Sequence, residues 1–417
     1  MSETKPKRIS TLLLVVAIIV ALIIGVIAGY FIGSTVTPTR GLTGTYTIAY
    51  IQCDPVESDY DWRGVELGIE DVNKWLESIN APYRFKVLKS VSDGTAVKTQ
   101  ELFSSSVAAG AQVVIGVSWS SHARAILESA NSKKVPIISI YSTSALLAIP
   151  NDYLFRIVPT TAVYGKFIKQ YMQKRGLLAA VIVFATEPFG TSYKDGVEKE
   201  LSSAGIDVIA TIPVNPESAE WTPEYGLVRD AYVKAVSKYG EGKVLIIDAI
   251  SSDKCSQAQI ALSRYPELLS AEVLLSNAPD NAWLTDIPEI CVKTKAWTFQ
   301  MTHPDNPVQR IFKEEYKKKY GEDVRYPHEL QAYDCVWIAA YAIAAAGEYK
   351  GEEIAKWIPK IASNYFGATG YCKLDENGDR MYADQTLLRI VKEDGKYVFK
   401  TIGYYNAVTD TLTLLEE

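Results

Sequence analysis

Histidine is nearly absent from these 417 residues, occurring only at 122, 303 and 328, and the five cysteines show no spacing that would assemble a metal site with them. Zinc chemistry and a histidine general base are thereby disfavoured. No GxGxxG or P-loop sequence is present, so nucleotides lose their usual glycine-rich cradle and no cofactor is expected. Basic clusters are missing too. After Arg40 the chain holds 39 Lys and Arg against 48 Asp and Glu. Its densest basic run, Lys317-Lys318-Lys319, continues a helical pattern with Phe312, Tyr316 and Tyr320 and reads as a solvated face. Nucleic acid is a poor partner for such a surface. A composition of 48% hydrophobic and 22% charged residues excludes a collagen, a coiled coil or a disordered tail, and the length suggests two or three domains.

What the sequence does have, first, is an uncharged run. The 21 residues from Leu12 to Ile32 span roughly 30 Å as a helix, enough to cross a bilayer. Lys5, Lys7 and Arg8 precede the run and only Arg40 closely follows it, which holds the N-terminus in the cytoplasm and sends the rest outside. A cleaved signal has a shorter apolar core and a small-residue cleavage site, so an uncleaved anchor is the favoured reading, with a cleaved signal the alternative. The expected location is the cell membrane, single-pass, with the folded part on the extracellular side. Five cysteines there allow up to two disulfides, and Cys255 with Cys291 is the suggested pair.

Beyond the run, short apolar segments alternate with helical patterns. Thr47 to Ile51 reads as a strand, followed by a helix with Val65, Ile69, Val72 and Leu76 on one face. Further strands are expected at Val113 to Ile115, Pro136 to Ile140, Val181 to Ala185, Val208 to Val214, Val244 to Ile247 and Val273 to Leu275. Strands apolar on both faces, separated by helices, imply parallel sheets covered on both sides. The segment Arg156-Ile157-Val158-Pro159-Thr160 breaks the rhythm midway, so two doubly wound α/β lobes are expected rather than one sheet. Pro304 to about Gly347 reads as mainly helical, and Thr386 to Tyr405 as strands around the turn Glu393-Asp394-Gly395-Lys396.

Two motifs are incomplete. Gly116-Val117-Ser118-Trp119-Ser120 begins like a nucleophile elbow but lacks the final glycine. His122 would share a helical turn with Ser118 or Ser120, a poor geometry for a hydrolase. Asp375-Glu376-Asn377-Gly378-Asp379 has the acidic alternation of a calcium loop, but Arg380 and Thr386 stand where Gly and Glu are required, so it reads as a turn.

In open α/β sheets ligands bind beyond the carboxyl ends of the strands. The segments there are Asp54 to Trp62, Ser118 to Ser121, Tyr141-Ser142-Thr143, Glu187-Pro188-Phe189-Gly190, Asp248 to Asp253 and Asn277 to Asn281. Ser120 or Ser121, opening a helix, offers a hydroxyl and unpaired N–H groups to a carboxylate, and Thr143 faces them. Tyr60, Trp62, Tyr141 and Phe189 are candidates to wall an apolar side chain. An ammonium group needs a carboxylate, for which Asp280, Asp248 and Glu187 are in position.

Together these segments resemble the extracellular solute-binding proteins of ABC importers of the leucine/isoleucine/valine-binding type, across nearly the whole chain after residue 45. The run from Trp62 to Asn73 is similar to that family's first-helix signature, although Lys74 follows where a Gly-rich turn is usual. Val114-Ile115-Gly116 leading to Ser120 and Val135 to Ser139 leading to Thr143 resemble its ligand-cradling segments. Phe189-Gly190, Gln331 to Val336 and Gly370 to Arg380 resemble later motifs in the same order.

The resemblance implies the type I periplasmic-binding-protein fold, two lobes joined by three crossings near Pro159, Phe299 and Gly370, closing on a ligand by hinge motion. The implied division is a cytoplasmic segment 1–11, an anchor or signal 12–33, a linker 34–45, a first lobe of 46–158 and 300–370, and a second of 159–299 and 371–417. It implies no enzymatic chemistry, and a membrane permease and ATPase subunits as partners. On this reading Ser120, Tyr141 and Thr143 hold the carboxylate of a small amino acid, branched-chain above all. Trp62 and Phe189 enclose its side chain and Asp280 takes its ammonium. An amide, urea or small carboxylate is the alternative ligand, and a sensory ectodomain the alternative role.

Overall fold

A computed structural model describes residues 41–53, 55, 58–303 and 305–415, and there the alternating apolar runs become two sheets flanked by helices. The first sheet holds β1 (Gly44–Gln52), β2 (Tyr83–Val91), β3 (Val114–Gly116), β4 (Ile137–Ser139) and β5 (Leu154–Arg156), all parallel, in the order β2-β1-β3-β4-β5. It carries α1 (Ser58–Ser78), α2 (Ala96–Ala108) and α3 (Ser120–Lys133). The chain then builds α4 (Tyr164–Arg175), β6 (Ala179–Ala185), α5 (Pro188–Ser203), β7 (Asp207–Val214), α6 (Thr222–Tyr239) and β8 (Val244–Ala249). After these come α7 (Cys255–Ser263), β9 (Glu272–Asn277), α8 (Pro288–Lys293) and β10 (Trp297–Met301). In β6 the side chains of Val181 and Val183 enter one core and those of Ala180 and Ile182 another, which is why the strand is apolar at every position.

From β10 the chain returns to the first sheet with α9 (Pro307–Tyr320), α10 (Pro327–Ala346) and α11 (Gly351–Ala362), then a small ribbon of β11 (Phe366–Gly367) and β12 (Gly370–Tyr371). A last passage leads to β13 (Gln385–Glu393), β14 (Lys396–Asn406) and β15 (Thr411–Leu414) at the edge of the second sheet, whose order is β15-β14-β13-β10-β9-β8-β6-β7. These three strands are antiparallel, so the expectation of wholly parallel sheets holds for the first sheet and for β6 to β10 only. The tight turn at Asp394 and Gly395, both at positive φ, joins β13 and β14 as a hairpin, a connection that forces the antiparallel direction.

The first-helix signature has a packing cause. A Cβ on Gly64 would lie 2.1 Å from the Glu329 carbonyl oxygen, and one on Gly68 would lie 3.0 Å from Val336 Cβ. The two glycines let α1 settle directly on α10. That docking fixes the first turn of α10, where Glu329 Oε1 accepts the backbone N–H groups of Arg325 and Tyr326, both at 2.9 Å.

The passages between sheets converge on buried charges. Arg156, at the end of β5, donates Nε and Nη2 to the two Asp379 carboxylate oxygens at 2.5 and 2.7 Å, and its Nη1 to the Ser144 carbonyl at 2.6 Å. Arg380 donates to the Ile157 carbonyl and to both oxygens of Thr369. Asp334 accepts from the Tyr365 and Thr369 hydroxyls and from the N–H groups of Ala368 and Thr369. The acidic motif at 375–379 is a turn, as its departures from a calcium loop require: Asp375 Oδ1 accepts the N–H groups of Asn377 and Asp379.

The suggested disulfide does not form, since Cys255 and Cys291 are separate buried thiols in the second core. The apolar run Leu12–Ile32 lies outside the described residues. Among the described residues no helix is long and apolar enough to cross a membrane.

Candidate functional site

Both sheets send short loops off the carboxyl ends of their strands into one cleft. After β3, Gly116 lies so close to β1 that a Cβ would stand 2.4 Å from the Ile51 carbonyl oxygen. The next residue, Val117, is held at φ 50°, a costly conformation for a β-branched side chain. Its N–H donates to Ile51 and its carbonyl accepts from Ser139 Oγ, both at 2.8 Å. This turn delivers Ser118 and Trp119 to the cleft. The second sheet repeats the device after β9, where Ala278 sits at φ 65° with its N–H on the Phe299 carbonyl at 2.8 Å, followed by Pro279 and Asp280.

The cleft encloses about 790 Å³ including its open mouth and takes residues from both sides. Gln52, Asp61, Ser118, Trp119 and Tyr141 come from the first sheet's loops and helices, Ser252 and Asp280 from the second, Gln300 and Met301 from β10, and Tyr326 and His328 from the start of α10. A smaller chamber beneath it shares Tyr141, Gln300 and Met301 and adds Thr143, Tyr164 and Asn277. Asn277 Nδ2 reaches the Tyr141 hydroxyl at 3.4 Å and the Tyr164 hydroxyl at 3.3 Å, joining the two sides at the floor.

Aromatic rings form a row along one wall. Tyr60 meets Tyr326 edge-on at 5.1 Å, Tyr326 stacks on His328 at 5.1 Å, and His328 meets Tyr141 edge-on at 6.0 Å. His328 Nε2 stands 3.5 Å from Asp61 Oδ1. Asp280 caps a short turn by accepting the Ala282 N–H at 2.8 Å. Burial pushes its carboxyl pKa up, the Ala282 N–H and Arg325 oppose this, and Asp253 and Asp286 add to it.

The sequence-derived candidates divide accordingly. Tyr141 and Asp280 line the cleft, Thr143 lines the chamber beneath, and Tyr60 backs Tyr326. The other candidates are turned to other tasks. Trp62 packs on Tyr50 at 5.8 Å under the Lys89 ammonium. Ser121, half-buried in the first turn of α3, lines neither cavity. Phe189 joins Tyr193 in the core on the other face of the second sheet, and Glu187 caps α5 through the N–H groups of Phe189 and Gly190.

Ser120 is buried, and its oxygen already accepts the Ser144 N–H at 3.1 Å and the Ser142 hydroxyl at 3.3 Å. Ser120 lines neither cavity, so its hydroxyl does not face a carboxylate in the cleft. Replacing Ser120 with Ala should therefore leave solute affinity within about threefold while lowering stability by about 1–2 kcal/mol, since the buried Ser144 N–H loses its acceptor. Denaturation and titration of the same variant separate the two effects.

Asp248 is fully buried, accepting from the Tyr225 hydroxyl and Gln259 Nε2, both at 2.8 Å, and burial pushes its pKa up to about 7. It therefore belongs to the second core rather than to the cleft. A raised carboxyl pKa means the native state binds the extra proton, so stability falls as pH rises from the ordinary carboxyl range to about 7 and then levels off. Asp248→Asn should remove this component, so that urea midpoints of variant and parent diverge in the variant's favour between pH 5 and 8.

Residues missed in the sequence are Gln52, Tyr326, His328, Gln300 and Met301, and Asp61 falls there only within the strand-end segment Asp54 to Trp62. A signal existed for one group: Tyr326-Pro327-His328-Glu329 is a helix start with Pro at the first position and a capping acid three residues after Tyr326.

Two α/β lobes with a shared cleft at their strand ends, and three passages between them, define a two-lobed binding protein. The periplasmic binding protein family matches residues 61–396, and the chain belongs to that family, whose members bind small solutes and are not enzymes. A protein of Methanocaldococcus jannaschii described as uncharacterized is 26% identical over 387 residues, covering 82% of this chain and 84% of its own. Among solved structures, the leucine-binding protein LivK of Thermotoga maritima superposes with a TM-score of 0.69 at 17% identity, over 88% of this chain and all of that one. A solute-binding protein of an ABC transporter from Rhodopseudomonas palustris, in complex with 3,4-dihydroxybenzoic acid, superposes at 0.66 with 16% identity, covering 87% and 98%. The fold is thus that of ABC transporter substrate-binding proteins.

Proposed function

We propose that this chain is the solute-capturing component of an ABC importer, held at the outer face of the cell membrane by Leu12–Ile32 and delivering a small organic solute to a permease driven by ATPase subunits. The observation that carries the reading is the cleft itself, built from loops of both lobes at the ends of parallel strands, with two residues at positive φ presenting its walls. Ligand bound there touches both lobes, and the differential contacts favour the closed arrangement.

A small amino acid, branched-chain above all, meets Asp280 for its ammonium and the Trp119 and Tyr141 rings for its side chain. Its carboxylate finds hydroxyl donors such as Ser118 and Ser252, and among the described residues no Lys or Arg lines the cleft. An amide or another small nitrogen-bearing solute makes fewer demands on the cleft. The test is calorimetric titration of the full chain in detergent, stripped by unfolding and refolding, against amino acids, amides and small carboxylates. Binding at micromolar Kd or tighter, about −8 kcal/mol, supports solute capture. Absence of binding, with no small molecule released when the untreated protein is unfolded, contradicts it.

A further inference from the structure

Two carboxylates line the cleft. Asp61 enters from the first lobe and Asp280 from the second, and among the described residues no Lys or Arg lines it. His328 beside Asp61 contributes positive charge only when protonated. Arg325 lies outside the lining, exposed, with Nη1 donating to the Tyr60 hydroxyl at 2.6 Å. Its guanidinium carbon sits 5.2 Å from the Tyr60 ring and 5.4 Å from the Tyr326 ring, so the outer end of the aromatic row already holds a cation of the chain's own.

Resting on the solute-capture reading above, we propose that the cleft selects a small organic cation without a carboxylate, a protonated amine or a guanidinium, held between Asp61 and Asp280 against the row Tyr326, His328 and Tyr141. Three observations converge on this chemistry. An anionic carboxylate would enter a cleft lined by two acids and, among the described residues, by no Lys or Arg. Ser120, whose hydroxyl opens the helix after β3, is buried and lines neither cavity. Aromatic faces favour cations that are weakly hydrated, which alkylammonium and guanidinium groups are. Because the two acids belong to different lobes, a cation bound to both favours closure.

The test compares ligands that differ only by the carboxylate: 3-methylbutylamine against L-leucine, and agmatine against L-arginine, titrated into the stripped full chain. The expected result is that at least one amine binds tenfold or more tightly than its parent amino acid. In Asp61→Asn that amine should lose affinity tenfold or more. Folding of the variant is checked by its denaturation midpoint, with Asp280→Asn as the second variant. Equal or tighter binding of the amino acids, or an amine affinity indifferent to both substitutions, overturns the proposal and leaves solute capture standing. If none of the four probes binds, the molecule released on unfolding the untreated protein decides. A cation there supports the proposal and a neutral or anionic molecule overturns it, while no released molecule at all counts against solute capture itself and overturns the proposal with it.

Discussion

Replacing Arg156 with Met should lower the stability of the protein by about 3–5 kcal/mol, because it leaves the Asp379 carboxylate buried without its counter-charge. The guanidinium is fully buried and its partner nearly so, and the pair is bidentate. The same substitution frees the Ser142 and Ser144 carbonyls that Nη1 satisfies at 3.3 and 2.6 Å. Asp379→Ala should cost a similar amount. The double variant should be less destabilised than the sum of the two, because removing both charges leaves neither stranded. Denaturant titration of the four proteins closes the cycle. Simple additivity would mean that the pair contributes through packing alone. Arg156 and Asp379 tie two of the passages between the sheets together.

The second large effect concerns the ligand. Asp280→Asn should reduce affinity for the captured solute by roughly 10- to 100-fold, the 1.5–3 kcal/mol of a hydrogen bond to a charged group. The fold should tolerate the change. An Asn side-chain oxygen caps a helical turn as Asp does, so the bond from the Ala282 N–H survives. Loss of a half-buried carboxylate beside Asp253 and Asp286 removes unfavourable electrostatics. Titration with whichever solute the parent binds, alongside a denaturation midpoint, separates loss of binding from loss of folding. An unchanged affinity would remove Asp280 from the site.

Much of the fold is legible because its physics is local. The runs that became β6, β8 and β9 are apolar at every position, which only a strand covered on both faces requires. β2 escaped notice because Tyr83–Val91 is an edge strand bonded to β1 alone and carries Arg84, Lys86 and Lys89. β5 is three residues long, and its Arg156 looks like an interruption until its buried partner 223 residues away is known.

The site was legible as loops rather than as residues. Ser120 carries the right hydroxyl at the right helix start. What closes it is a loop more than twenty residues later, a pairing no local pattern encodes. Tyr326 and His328 reach the cleft only because Gly64 and Gly68 let α1 seat on α10, and that contact spans some 260 residues. Asp280, by contrast, follows its strand directly and lies where strand-end reasoning put it.

On the solute-capture reading, solute is expected to close the two lobes about the passages between them. Small-angle X-ray scattering of the stripped full chain in a detergent matched to solvent, with and without the solute released from the untreated protein, tests it most directly. The expected result is a smaller radius of gyration on addition of solute, saturating with the binding isotherm and absent in Asp280→Asn at the same concentration. A scattering profile that stays the same at saturating solute would contradict it.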